Sequence, residues 1–232
     1  MDSNNAKTVK VVIVKNGPYR VFGGLPLSRE VIATDGGGDS VRWDRQHTYA
    51  VEEQYALCRC GRSANKPFCD GSHKKSAFDG SETASRAAYL AQAKVIRGPA
   101  MSLTDVENLC AFARFCDPHG KVWNLVQQSD RPDTGKRFVA QTCDCPSGRL
   151  VAWDNRTGQA IEPEFEPSLA LVEDPAQGCS GPLWLRGGVP LVGADGFEYE
   201  VRNRMTLCRC GASKNKPFCD GSHAAVGFDD TH

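Results

Sequence analysis

The sequence predicts an α+β fold in which two small β-rich modules flank an inserted α+β middle segment. A cysteine-rich stretch occurs twice. Of the 23 positions from 57 to 79, 17 recur at 207–229, an offset of 150. A fainter repeat precedes each copy: Gly17-Pro18 through Gly23-Gly24-Leu25-Pro26-Leu27 resembles Gly181-Pro182 through Gly187-Gly188-Val189-Pro190-Leu191, at an offset of 164. Residues 80–178 match neither repeat. The boundaries expected are therefore 1–79 for the first module, 80–178 for the middle and 179–232 for the second, since self-similarity at a fixed offset marks a repeated structural unit.

Within each module, β-prone runs sit beside Gly-Pro and Gly-Gly turns: Lys10–Val14, Tyr19–Phe22, Leu183–Leu185 and Phe197–Val201. The two offsets differ by 14, so the first copy carries 14 extra residues between its parts. They are expected around Thr34-Asp35-Gly36-Gly37-Gly38-Asp39, where turn residues cluster.

Composition narrows the function. The 232 residues hold 28 Lys+Arg and 28 Asp+Glu, a formal net charge of zero. That disfavours a chain built to neutralise phosphates, so no nucleic-acid partner is expected. The opening Met1-Asp2-Ser3-Asn4-Asn5-Ala6-Lys7 has no apolar leader, and no run approaches the ~18 apolar residues of a spanning helix. A cytoplasmic protein with no membrane contact is expected. The 11 cysteines cannot all pair within the chain. In a reducing compartment clustered thiols bind metal or do redox work more often than they form disulfides.

The duplicated stretch has ligand spacing, Cys-x-Cys-x8-Cys-x3-His. The first copy supplies Cys58, Cys60, Cys69 and His73, and the second Cys208, Cys210, Cys219 and His223. Cys-x-Cys puts two thiols on one extended segment. Asp70-Gly71-Ser72-His73 reads as a helix start capped by Asp70, so one turn brings Cys69 and His73 to one side. Gly61 and Gly71 are expected to let the backbone approach a bulky ligand, and Pro67 and Pro217 to stiffen the approach to the third cysteine. Three Cys and one His suit a single zinc, although zinc sites usually space the first pair more widely. They also suit a [2Fe–2S] cluster, which asks for two ligands on each of two irons.

Cys-x-Cys followed by Pro-Phe-Cys-Asp-Gly-Ser-His resembles the CDGSH iron–sulfur domain of the mitoNEET family, in both copies and at every ligand position. The resemblance implies two [2Fe–2S] clusters. Cys58 and Cys60 then hold one iron and Cys69 with His73 the other, and the second copy repeats the set. Single-motif relatives pair as intertwined homodimers. Two motifs in one chain therefore imply an intrachain pseudo-two-fold pair, with 17–79 facing 181–229, in a protein that is otherwise a monomer. The anchoring helix of mitoNEET has no counterpart here.

In the middle segment Thr104-x-x-Glu107 reads as a capping box leading a helix over Asn108–Phe115. Val122–Val126 and Arg149–Trp153 read as strands. Cys145-Pro146-Ser147-Gly148-Arg149-Leu150 resembles the ending of small ferredoxins, and Cys110 with Cys116 resembles a divergent single-cluster pattern. A degenerate ferredoxin-like domain is implied, with Cys110, Cys116, Cys143 and Cys145 as a possible third metal site or simply as buried thiols. Cys179 is expected to be inert. His47, His119 and His232 are expected at the surface or in turns, and Glu162, Glu164 and Glu166 on a solvated loop.

The function expected is one-electron transfer, cluster transfer or redox sensing, with a redox protein or an apo-protein acceptor as partner. A histidine among thiolates leaves a cluster less negative and adds a group that titrates near neutral pH. His73 and His223 are thus the expected labile points. No catalytic residue is assigned. A redox enzyme with its site in the middle segment is the alternative, but no dinucleotide loop, phosphate loop or nucleophile elbow appears. A structural zinc module is the other.

Overall fold

The computed structural model describes residues 9–230. The first module contributes β1 (Lys10–Ile13), β2 (Tyr19–Phe22), β3 (Leu27–Thr34), β4 (Ser40–Tyr49) and β5 (Gln54–Leu57). The middle follows with α1 (Tyr89–Gln92), β6 (Lys94–Arg97), β7 (Met101–Asp105), α2 (Val122–Leu125), α3 (Pro132–Cys143), β8 (Leu150–Asp154) and β9 (Ala160–Ile161). The rest of the chain holds β10 (Ser168–Asp174), β11 (Cys179–Arg186), β12 (Leu191–Val192), β13 (Arg204–Leu207) and α4 (Ser222–Ala225).

The strands form three sheets, ordered β12-β1-β2-β5, β13-β11-β10-β3-β4 and β6-β7-β8-β9. In the first two, the modules exchange a strand. β12 of the second module pairs in parallel with β1 of the first, Val11 beside Leu191. β3 of the first pairs in parallel with β10, Leu27 beside Leu169, and as β10 takes the place of β1 the second module's strands begin ahead of the expected boundary at 179. Leu27 and Leu191 are counterparts at the offset of 164. The pseudo-two-fold pair is therefore intertwined.

Exchange makes one core from two modules. Val11, Tyr19, Val21, Leu27 and Leu57 pack in a single cluster with Leu169, Leu183, Leu185, Leu191 and Leu207. Alternation along the strands puts these side chains on the shared face. Each module alone would expose that face, and burial at roughly 25 cal/mol per Å² of apolar surface holds the pair together.

The 14 extra residues lengthen the β3–β4 hairpin, whose tip is Asp35–Asp39. The hairpin reaches the middle segment. Trp43 on β4 stacks 4.8 Å from both Phe115 and Trp184 and donates its Nε1 hydrogen to the Asp144 carbonyl at 3.2 Å. Arg204 on β13 joins the second module to the same place. It donates to the carbonyls of Thr142, Cys143 and Cys145 and to the Glu162 carboxylate at 2.7–2.9 Å.

Several local expectations change. Asn108–Phe115 is no helix. A short 3₁₀ turn at Glu107–Leu109 gives way to a loop with Phe112 and Arg114 at positive φ, which frees Arg114 to pair with Asp174 and Phe115 to pack under Trp43. Val122–Val126 is helical, because its buried Val122, Leu125 and Val126 fall at i, i+3 and i+4 against Phe138. The longest helix among the described residues, α3, opens on Pro132 and Asp133, both start signals. Phe197–Val201 makes only one bridge, Glu198 to Val192, since β12 is too short to support a strand there. Glu162 is not a solvated carboxylate but the acceptor for buried Arg204. His47 and His119 lie on exposed β4 and in the turn Pro118–Gly120, as expected, and Cys179 is buried at the start of β11. His232 lies outside the described residues.

Candidate metal centres

Each module ends in the same loop after its last strand. Leu57 and Leu207 bridge back to Phe68 and Phe218, which brings the third cysteine beside the first two. Cys69 N–H donates to the Ala56 carbonyl and Cys219 N–H to the Thr206 carbonyl, both at 2.9 Å. The Ser63 and Ser213 hydroxyls donate to the Phe68 and Phe218 carbonyls at 2.6 and 2.7 Å. Asp70 does not cap a helix. Its carboxylate accepts from Ala64 and Ser72 N–H, tying the two limbs of the loop, and these bonds hold its carboxyl below the usual range. Gly71 and Gly221 take positive φ instead, starting one turn at Ser72–Lys74 and the short α4.

That turn does what the spacing asked. Cys69 Sγ lies 3.4 Å from His73 Nδ1, and Cys219 Sγ lies 3.4 Å from His223 Nδ1. Cys58 and Cys60 have their sulfurs 3.7 Å apart, as do Cys208 and Cys210. The donors are thus grouped as two pairs per module. Among the described residues no three His, Cys, Asp or Glu side chains converge closely enough for a single ion. Two pairs match the needs of a two-iron centre better than those of one tetrahedral zinc.

The donor chemistry fits an anionic cluster. Backbone N–H groups point at sulfur: Ala212 donates to Cys210 Sγ and Gly221 to Cys219 Sγ, both at 3.4 Å. Such bonds favour thiolate. Burial works against it, pushing Cys60 up to about 11 and Cys219 well above the ordinary thiol range. Buried thiols of this kind gain from a metal that takes the proton's place.

Gly61 and Gly211 also set the contact between the modules. A Cβ on Gly61 would sit 2.5 Å from the Cys210 carbonyl oxygen, and one on Gly211 2.7 Å from that of Cys60. The two Cys-x-Cys-Gly loops pack back to back across the pseudo-two-fold axis. Glycine is needed there because the other module's backbone leaves no room for a Cβ. Tyr19 adds a crossing bond, donating to the Cys208 carbonyl at 2.8 Å.

The sites differ in exposure. His223 is buried at 3% exposure, and its environment pulls it down to about 4, through burial first and the Arg209 charge second. His73 is half-buried.

In the middle, Cys110, Cys116 and Cys145 line one cavity with Phe112, Phe115 and Arg149. Burial pushes Cys116 up to about 12. Arg149, paired with Asp105 at 2.6 Å, brings a cation to the cavity wall. Cys143 does not join them, as its sulfur faces the Ile161 carbonyl at the end of α3.

Residues 16–74 and 180–224 match the family described as iron-binding zinc finger CDGSH type. Residues 96–155 match the family described as divergent 4Fe-4S mono-cluster. No curated protein and no solved structure matches the chain. Among the described residues no helix is long and apolar enough to cross a membrane.

Proposed function

We propose that this chain, an iron–sulfur protein with two CDGSH-type segments around a divergent mono-cluster segment, holds one [2Fe–2S] cluster in each CDGSH module and serves as an electron carrier or cluster donor. The observation that carries this is the repeated grouping of donors into a Cys/Cys pair and a Cys/His pair. Cys58, Cys60, Cys69 and His73 are the ligands of the first site, and Cys208, Cys210, Cys219 and His223 those of the second. A bound [2Fe–2S] cluster supplies storage of a single electron.

The remaining work falls to the chain. Buried Cys58 and Cys208 keep water from one side of each site. N–H groups of the loops compensate sulfur charge. The imidazoles present Nδ1 to the neighbouring thiol, which leaves the other ring nitrogen turned away from it. A partner protein that accepts electrons or clusters completes the function, and no catalytic group for an enzymatic reaction is assigned.

The test is iron and acid-labile sulfide per chain, with the His73→Cys and His223→Cys variants. A red-brown protein whose potential depends on pH, and loses that dependence in the variants, supports the reading. A colourless protein with bound zinc ends it. With no three thiols among the described residues close enough for a single ion, the cavity lined by Cys110, Cys116 and Cys145 favours a third iron–sulfur cluster, whose separate irons take one thiol each, without Cys143.

A further inference from the structure

The pseudo-two-fold axis lets each surface of one module be compared with its counterpart. Arg59 and Arg209 fix the alignment beneath the sites. Arg59 donates to the carbonyls of Gly17 and Val14, and Arg209 to those of Gly181 and Val172, at 2.7–3.1 Å. Val14 and Val172 are therefore equivalent. The residues after them are Lys15-Asn16 in the first module and Glu173-Asp174 in the second.

On the second module this face is covered by the chain itself. Arg114 from the middle segment pairs with Asp174. Asn215 donates its side-chain N–H to the Asn108 carbonyl at 2.8 Å. A Cβ on Gly221 would touch the Cys110 carbonyl and Phe112 Cβ at 3.4 Å. This cover accounts for the burial of His223.

On the first module the same face is open. A Cβ on Gly71 would meet nothing within 4 Å. An open groove runs past His73 between Val14-Lys15-Asn16 and Lys74, Phe78 and Asp79. Its charge is also different. Lys15 stands in the place of Glu173, and Lys74 and Lys75 stand where the second module has Ala224 and Ala225. All three lysines are exposed. Asp79 is the one carboxylate lining the groove among the described residues, and it is engaged by Ser81.

We propose that the open His73 face of the first module is the docking surface for an acidic partner protein. The partner sits where the middle segment sits on the second module, with carboxylates toward Lys15, Lys74 and Lys75. The inference rests on the reading of the two sites as iron–sulfur centres, because it concerns the partner of that function. The three exposed lysines match a partner rich in Asp and Glu, as electrostatic complementarity between docking proteins requires. The second module is closed to the same partner by its own chain.

The experiment uses the full chain and, as probe, an acidic plant-type ferredoxin, with basic cytochrome c as the opposite-charge control. Affinity is measured by calorimetry at low and at physiological salt, and contacts are mapped by carbodiimide coupling of lysine to carboxylate. Ferredoxin is expected to bind, to weaken with salt, and to couple at Lys15, Lys74 or Lys75. Changing these three residues to Glu together is expected to weaken binding at least about tenfold, while K121E/K136E in the middle segment leaves it unchanged. Unchanged affinity in the triple variant, coupling mapped to other lysines, no complex, or equal binding of cytochrome c each overturns the proposal. Iron and sulfide on the same samples separate two failures. An iron-free chain removes the iron–sulfur reading, while an iron-loaded chain indifferent to the three lysines removes only the docking face. The coupling map is read in either case.

Discussion

Arg209 donates to Glu173 at 2.8 Å beneath the second site, whereas its counterpart Arg59 has Lys15 at the position of Glu173. Asp230 completes the cage around Arg209, and Gly80 stands in its place beside Arg59. Among the described residues no carboxylate pairs with Arg59, and its Nη1 has no partner. Carbonyls of the β1–β2 turn and the faces of Tyr19 and Phe78 hold this buried cation instead.

The first prediction concerns potentials. Net positive charge near a cluster favours the reduced form. The first site should therefore have the higher potential, and a reductive titration followed by electron paramagnetic resonance should resolve two steps. Asp230→Asn should raise the second potential toward the first. It should also lower stability by about 3–5 kcal/mol, as breaking one side of a buried pair does. One unsplit step in the native protein would count against the idea.

Strand exchange predicts joint unfolding. Leu27 is fully buried in β3, which lies against β10 of the other module. Leu27→Ala should cost about 2–5 kcal/mol. Both modules should still unfold in one denaturant transition, read by absorbance of the sites and by circular dichroism. Two separate transitions would show that the modules do not share their core.

The middle cavity predicts a selective loss of iron. Ala substitution of Cys110, Cys116 or Cys145 should remove the iron in excess of the two CDGSH sites, and Cys143→Ala should not. Iron per chain and the electron paramagnetic resonance spectrum check this. Equal loss from all four variants would return Cys143 to the ligand set.

Asp144 predicts a pH effect on stability in the metal-free chain. Burial pushes its carboxyl up to about 6, with Arg204 opposing. A carboxyl raised on folding favours the protonated native state. Its contribution is fully present below the ordinary carboxylate range, near pH 4, and is lost as pH rises through about 6. The stability of Asp144→Asn relative to the native chain should therefore increase between pH 4 and 6, by urea denaturation. A constant difference over that window would contradict the shift.

The sequence by itself determined the eight candidate donors, their grouping by spacing, the module–middle–module order and the place of the inserted hairpin. These features are local: a Cys-x-Cys pair and a Cys-x3-His turn need only nearby residues to form. Only the tertiary structure decided which strand crosses to which sheet, because β-prone runs carry no record of their partner. It alone showed that Gly61 meets the Cys210 carbonyl, that Cys143 turns away from Cys110, Cys116 and Cys145, and that Asn108–Phe115 gives up its helix to Arg114–Asp174 and the Trp43 stack. It also made the two copies unequal. Near-identical motifs end up with different neighbours because one middle segment can cover only one of two equivalent faces, leaving His223 enclosed and His73 open.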